Sequence, residues 1–218
     1  MKLYGYFRSS AAYRVRIALN LKGLECEHIP VHLIRNGGEQ LSETYRALNP
    51  EGLVPTLLDD EAGTELALSQ SLAIIEYLEE KFPSTPLLPS KLAERAYVRS
   101  LALAIACDIH PVNNLRILKY LSAQLGVSDE QKNEWYRHWC MLGLQSLELR
   151  LAADAKRGKF CFGDQATLAD CCLIPQVFNA LRFNCDVSTI PTIMAIYTHC
   201  QELDAFKLAH PSQQADAE

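Results

Sequence analysis

The segment that most constrains the fold is residues 3–21, LYGYFRSSAAYRVRIALNL, because it sets two serines between a strand-like and a helix-like pattern. Residues 3–7 are short, aromatic and glycine-containing, as in a buried strand, and the apolar positions in residues 12–21 follow helical spacing. Ser9 and Ser10 therefore fall at the N-cap or in the first turn of the predicted helix. Free backbone N–H groups and the helix dipole favour an anion there. An ordinary serine cap without a ligand is the alternative.

Length, charge and hydropathy limit the classes of function. The chain has 218 residues, 49% of them hydrophobic, which is enough for one large domain or two small ones. A net charge of −5 argues against a nucleic-acid surface. The apolar stretches are too short to span a bilayer, and no signal-like segment precedes the first strand. We therefore expect a cytoplasmic protein with no nucleic-acid or membrane partner.

The cysteines and histidines give no indication of a metal site. The eight cysteines lack metal-ligand spacing, and we expect them to be reduced thiols. His28 and His32 lie four residues apart on a predicted strand, which favours edge or packing histidines over a zinc site. Trp135 and Trp139, four apart on one helix face, are predicted to lie in the core.

The order of the predicted elements indicates two domains. The first eighty residues read as βαβ followed by ββα, which is typical of a small thioredoxin-like sheet. Three prolines within residues 82–90 indicate a linker, and only helical periodicity follows it. We expect an α/β thioredoxin-like domain at 1–82, a linker at 83–90 and an all-α helical bundle at 91–218. The predicted strands are 3–7, 26–33, 54–58 and 65–68, and the predicted helices after residue 70 are 72–81, 92–123, 128–153, 168–181 and 191–202.

Two further features of the first domain point to a ligand. Pro55 stands ahead of a predicted strand, where it removes a hydrogen-bond donor. In thioredoxin-like sheets this proline is cis, and the residue before it, here Val54, pairs with a bound peptide backbone. Gln70 and Ser71 begin a helix whose amides and hydroxyl suit a carboxylate. A simple strand-start proline and an ordinary cap are the alternatives. Together with Ser9, these features match the thiol, backbone and carboxylate of glutathione.

Several motifs extend this pattern to nearly the whole chain, which resembles the zeta-class glutathione transferases, a family that includes maleylacetoacetate and maleylpyruvate isomerases. The resemblance implies the glutathione transferase fold, a homodimer and glutathione as cofactor. Zeta enzymes usually have cysteine where this chain has Ala11. This difference argues more against a broad detoxifying function than against an isomerase function. The matching segments are 8–19, 47–50, 54–57, 70–80, 169–177, 191–193 and 203–206.

The resemblance also implies roles for individual residues. Ser9 would be catalytic, with Arg8 and Ser10 beside it: its hydroxyl donates to the glutathione thiolate and lowers the thiol pKa. The backbone N–H groups of Ser10, Ala11 and Ala12 would assist. The implied glutathione contacts are Ser9, Ser10, Ala11, Gln40, Val54, Pro55, Gln70, Ser71, His110, Asn114 and Arg116.

A dicarboxylate substrate would be met by arginine in fork geometry. The residues implied for it are Arg8, His110, Arg116 and Arg182, and residues 107–116 resemble the maleylpyruvate isomerase version of this segment. For His110 the alternative is packing, and for Arg182 it is a solvated helix-end charge. Arg14 and Arg16 are expected to be structural or interface charges. Thr167 and Asp170 have the form of a capping box rather than a catalytic site.

Three functions remain open at this point. The first is a glutathione-dependent cis–trans isomerase that converts maleylacetoacetate to fumarylacetoacetate, or maleylpyruvate to fumarylpyruvate, in aromatic-acid breakdown. The second is a transferase that conjugates small electrophiles such as haloacids. The third is a non-catalytic interaction protein on the same fold. Glutathione acts as a catalyst in the first, is consumed in the second and has no chemical role in the third.

Overall fold

The computed structural model describes residues 1–61 and 63–218. They form two compact units, one made of Met1–Leu87 and Glu202–Glu218 and the other of Leu88–Gln201. The expected boundary assigned all of 91–218 to the helical domain, whereas the last segment of the chain packs with the first unit. Hydrogen bonds from α1, the helix of residues 10–21, hold it there: Asn20 Nδ2 donates to Ala205 O (2.9 Å).

Ten α-helices lie in the described ranges of the chain. Their bounds are α1 (Ser10–Leu21), α2 (Glu43–Leu48), α3 (Ser71–Lys81), α4 (Leu92–Leu103), α5 (His110–Val112), α6 (Leu115–Ala123), α7 (Asp129–Ala153), α8 (Leu168–Arg182), α9 (Pro191–Cys200) and α10 (Asp204–Ala209). No helix in the described ranges is both long and apolar enough to cross a membrane.

A mixed β-sheet of four strands, β1 (Lys2–Gly5), β2 (Glu27–Pro30), β3 (Thr56–Glu61) and β4 (Thr64–Ser69), forms the centre of the first unit. Their order in the sheet is β2-β1-β3-β4. β1 pairs parallel to β2 and antiparallel to β3, and β3 pairs antiparallel to β4. Leu3 lies opposite Leu57 in this register, and both side chains are buried. The predicted βαβ and ββα order is confirmed.

Helix α1 is the central helix of this unit and packs against both α3 and α10. It is buried over most of its length, including two arginines, Arg14 and Arg16. A helix enclosed on nearly every side contributes its apolar residues to the core and must satisfy its polar groups internally.

A buried ion pair at the end of α1 holds the proline-rich segment. Lys22 Nζ lies 2.7 Å from Glu79 Oε2 on α3, and it also donates to the carbonyls of Phe82 (3.0 Å) and Thr85 (2.8 Å). The Leu87 N–H donates to the same Glu79 oxygen (2.9 Å). Because both charges are removed from water, each depends on the other and on these backbone partners.

The first long helix predicted for the helical unit is interrupted in the structure. The expected continuous helix over 92–123 is wrong: α4 leads into a π-helical segment, Ala104–Ile109, followed by α5 and α6. Pro111 lacks a backbone N–H, which α-helical continuation would require. Ile109 packs where a Cβ on Gly143 of α7 would overlap it. The absence of a side chain on Gly143 therefore makes room for this segment.

Helix α8 forms the core of the helical unit, and its residues 168–177 are all buried. The predicted capping box at its start is confirmed, since Asp170 Oδ2 accepts from Thr167 N and Oγ1, both at 2.8 Å. The expectation of two core tryptophans is wrong: Trp139 is 37% exposed on the solvent side of α7, and Trp135 is only half-buried.

We expect Lys22→Met to lower the free energy of unfolding by about 3 kcal/mol, because it leaves Glu79 buried without its cation. Lys2→Met is the matched control, since Lys2 lies 3.6 Å from Glu27 on an exposed surface and the pair contributes little. Urea denaturation of both variants measures the difference. Equal stabilities would show that the buried pair does not anchor the segment.

Candidate functional site

The turn between β1 and α1 carries Arg8 and Ser9. The Ser9 N–H donates to Tyr6 O (2.9 Å) and closes the turn. Ser9 is the N-cap of α1, as predicted, and its Oγ accepts from the Ala12 N–H (3.2 Å). A hydroxyl that accepts in this way still has its own hydrogen to donate. The Ala12 N–H, expected to face an anion, is instead engaged in the cap.

Arg8 is held in place by Tyr6, a residue that the sequence reasoning missed. Its Nε and Nη2 donate to Tyr6 Oη at 3.2 and 2.8 Å. Its guanidinium also lies over the Phe7 ring, 4.9 Å from the centroid. Tyr6 is buried, whereas Arg8 is half-buried. A fixed guanidinium therefore stands one residue before the capping serine.

The start of α3 provides a second electropositive position. Ser71, its first residue, is buried, and its Oγ accepts from Arg14 Nη1 (3.2 Å). The N-cap, Gln70, has a φ of +69°, which is uncommon outside glycine and costs about 1–3 kcal/mol. Gln70 Nε2 donates to Glu51 Oε2 (2.9 Å). The buried Arg14 adds its charge to the positive end of the α3 dipole, which favours a carboxylate.

The segment before β3 is braced by two side chains that the sequence reasoning missed. The Val54–Pro55 peptide bond is cis, as expected for this fold. Tyr45 Oη and Asn49 Nδ2 both donate to Leu53 O, at 2.6 and 2.9 Å. Burial raises the pKa of the Tyr45 phenol above its ordinary value, so the hydroxyl is protonated and donates. These bonds fix the backbone immediately before Val54.

Gln40 lies in a short 3₁₀ turn, Glu39–Leu41, and its side chain folds against Gly38. Its Oε1 is buried and accepts no hydrogen bond from the residues that the structure describes. An unpaired buried amide oxygen is costly, so Gln40 is suited to accept from a ligand N–H.

The remaining predicted residues lie in the helical unit. Asn114 caps α6, with Oδ1 accepting from the Arg116 N–H (3.1 Å), and its Nδ2 lies 3.1 Å from His110 Nε2. Since Nδ2 can only donate, this contact assigns Nε2 as the acceptor and places the histidine proton on Nδ1. The side chain of Arg116 is exposed. The π-helical segment immediately precedes His110, and such segments occur frequently at functional sites.

Arg182 ends α8, and its guanidinium lies 4.9 Å from the Phe183 ring centroid. Phe183 in turn stacks on Tyr136 of α7 with 3.7 Å between centroids and 10° between planes. The backbone carbonyl of Tyr136 accepts from Asn113 Nδ2 (3.3 Å). Tyr136 therefore contacts both predicted substrate-binding segments of this unit, although no local pattern singled it out.

Comparisons with known proteins agree with this arrangement. Residues 3–86 match the family model for the glutathione S-transferase N-terminal domain. A Vibrio cholerae protein named probable maleylacetoacetate isomerase is 55% identical over 99% of this chain and 97% of its own length. A holo structure of maleylpyruvate isomerase, described as a bacterial zeta-class glutathione S-transferase, has a TM-score of 0.95 and 47% identity with full coverage of both chains. A maleylacetoacetate isomerase from Methylobacterium extorquens AM1, solved with malonate and glutathione, has a TM-score of 0.94 and 41% identity, again with full coverage.

The sheet order, the capping serine after β1 and the family match define a glutathione S-transferase fold with a thioredoxin-like first unit and a helical second unit. Within that fold, the chain belongs to the zeta-class family of maleylacetoacetate and maleylpyruvate isomerases. The predicted family and fold class are confirmed.

We expect Asn114→Asp to keep the α6 cap but to remove the donor facing His110. The histidine should then carry its proton on Nε2, with the free energy of unfolding nearly unchanged. Asn114→Ala should instead lose the cap and about 1 kcal/mol of stability. Nitrogen-15 chemical shifts of the imidazole and urea denaturation separate the two effects. An unchanged tautomer in Asn114→Asp would show that Asn114 does not orient His110.

Proposed function

We propose that the protein is a glutathione-dependent cis–trans isomerase of maleylacetoacetate or maleylpyruvate. The observation that carries the proposal is the Ser9 cap, which leaves a hydroxyl hydrogen to donate beside a guanidinium fixed by Tyr6. A sulfur anion and a substrate carboxylate are the groups that such a pair would bind. The relatives named as isomerases of these two substrates support the same reaction.

The first unit has side chains that fit glutathione. Ser9 and the first-turn amides of α1 suit the thiolate of glutathione. The Val54 backbone suits its peptide groups, and the start of α3, next to Arg14, suits one of its carboxylates. The buried Gln40 oxygen offers an acceptor for an N–H. We propose Ser10, Ala11, Pro55, Gln70 and Ser71 as further contacts, with His110, Asn114 and Arg116 from the helical unit. Bound glutathione supplies a thiol nucleophile that adds reversibly to the substrate double bond, allows rotation and is regenerated.

The chain's own groups promote this chemistry electrostatically. A hydrogen bond from the Ser9 hydroxyl favours the ionised sulfur and lowers the thiol pKa toward neutrality. Arg8 would neutralise a substrate carboxylate or the negative charge that develops on the ketone oxygen. We assign the remaining carboxylate to His110, Arg116 and Arg182. Malonate bound to the M. extorquens relative supports a dicarboxylate ligand.

The alternative is a transferase that conjugates small electrophiles such as haloacids. The two functions differ in whether glutathione is consumed. Turnover of many substrate molecules per glutathione, with either maleyl ketone, supports the isomerase, whereas one glutathione lost per product supports conjugation. The proposal includes two finer expectations, a homodimer and a cytoplasmic location, which analytical ultracentrifugation and cell fractionation test.

We expect Ser9→Gly and Ser9→Ala both to lower kcat by about a hundredfold, because each removes the donor to the sulfur. The two should differ in stability, since glycine replaces a capping serine at little cost while alanine costs about 1 kcal/mol. Ser128→Gly is the control, because Ser128 caps α7 through the same contact, Oγ to Gln131 N (3.2 Å). Full activity in Ser9→Gly would refute the role of the hydroxyl.

We expect Arg8→Lys to lower kcat/KM for the maleyl ketone by about tenfold, because lysine cannot make the paired contact with Tyr6 Oη. Tyr6→Phe should give a similar loss and leave the affinity for glutathione unchanged. Arg46→Lys, at an exposed position on α2, is the control. Steady-state kinetics with each substrate varied separately checks the result, and an unaffected Tyr6→Phe enzyme would show that Tyr6 does not position Arg8.

A further inference from the structure

The C-terminal segment, Glu202–Glu218, reaches the turn that carries Arg8 and Ser9. Asp216 Oδ2 accepts from the Phe7 N–H at 3.0 Å, across 209 positions of sequence. Phe7 is the first central residue of the turn closed by the Ser9 N–H and Tyr6 O. A residue at the far end of the chain thus holds the turn directly.

Arg16 secures the other backbone group of the same residue. Its Nη2 donates to Phe7 O (2.9 Å) and its Nε donates to Ala209 O at the end of α10 (3.0 Å). Both the N–H and the C=O of Phe7 are therefore bonded to the C-terminal segment, one directly and the other through a single guanidinium. Phe7 itself is buried, and its hydrogen bond to the half-buried Asp216 is partly shielded from water.

The charges at this junction are balanced. Burial lowers the pKa of Arg16 to about 10, while Tyr13 and Asp216 act in the opposite direction, so the guanidinium is charged at neutral pH. The nearby His28 has its pKa lowered by burial and by the charge of Arg16, while the charge of Asp216 acts in the opposite direction. Asp216 therefore accepts a hydrogen bond from the Phe7 N–H and is attracted electrostatically by the positive charge of Arg16.

From these contacts we propose that the C-terminal segment is a structural part of the glutathione site, in which Asp216, with Arg16, fixes the turn that aims Arg8 and Ser9. In this proposal Asp216 is a positioning residue, which acts through its hydrogen bond to the Phe7 backbone. The inference rests on the proposed function for its catalytic consequence, but the mechanical contact can be tested without any ligand.

The mechanical test is amide hydrogen exchange followed by NMR. Asp216→Ala should speed exchange of the Phe7 and Ser9 amides by about tenfold, as expected for the loss of a hydrogen bond to a charged group. Asp216→Asn keeps an acceptor and should restore protection. Glu218→Ala is the matched control, because Glu218 is a carboxylate of the same segment that accepts from Arg35 Nη2 instead (2.8 Å). If Asp216→Ala does not fold, Asp216→Glu, which keeps the charge but displaces the oxygen, should show the same loss.

The catalytic test is the titration of bound glutathione, followed by the ultraviolet absorbance of its thiolate. In Asp216→Ala the thiol pKa should rise by about one unit, a tenfold loss of thiolate below the pKa. Binding of S-methylglutathione, which has no thiol to ionise, should be unchanged. A variant that was merely less stable would not shift the titration in this selective way.

The outcomes separate the two proposals. Unchanged exchange at Phe7 in Asp216→Ala would overturn the proposal that Asp216 holds the turn, and faster exchange with an unshifted titration would overturn its role in aiming Ser9. If exchange and titration both respond but the wild-type protein does not turn over either maleyl ketone, the positioning role of Asp216 stands and the proposed function falls.

Discussion

The buried guanidinium of Arg16 is the contact on which the first unit depends, because it joins the turn after β1 to the end of α10. A buried cation must have hydrogen-bond partners, since its desolvation is otherwise uncompensated. Arg16 satisfies this requirement with two backbone carbonyls, those of Phe7 and Ala209, that lie far apart in sequence. The shape of the turn and the position of the chain's end are thus determined together. Since Ser9 closes that turn and also caps α1, the helix begins at a position set by this contact.

The starts of α1 and α3 reach the same electrostatic result by different means. At α1 the serine side chain caps the helix and retains a hydrogen to donate. At α3 a strained backbone at Gln70 begins the helix, and Arg14 donates to Ser71 from within the fold. Arg14 belongs to α1. Helix α1 therefore contributes both its own N-terminus and the positive charge next to the N-terminus of α3. These two positive regions of α1 and α3 are the ones that we propose for the thiol and a carboxylate of glutathione.

The sequence revealed the features that depend on local chemistry. Alternating and helical periodicities predicted the βαβ and ββα order, and the residues at Ser9 and Thr167 predicted two helix starts. Features that depend on distant contacts left no local signal: Tyr6 reads as another strand aromatic, and Asp216 as an acidic residue near the chain's end. The break in the helix over 92–123 had one visible sign, Pro111, but accommodating the π-helical segment also requires Gly143 on another helix. Local patterns define elements, whereas packing decides where they are interrupted.

The helical unit arranges its predicted substrate groups around Tyr136. Burial raises the pKa of this tyrosine above its ordinary range, so the ring is a neutral, fixed surface. The Tyr136 ring stacks on Phe183, and the Arg182 guanidinium lies over the Phe183 ring. The backbone carbonyl of Tyr136 accepts from Asn113 Nδ2, between α5 and α6. Arg182 and the segment of His110 and Asn114 are thus both positioned by one residue, Tyr136, the first through its ring and the second through its backbone. Under the proposed assignment the thiol is ionised at the turn of the first unit, and the helical-unit groups held by Tyr136 would set which ketone is bound.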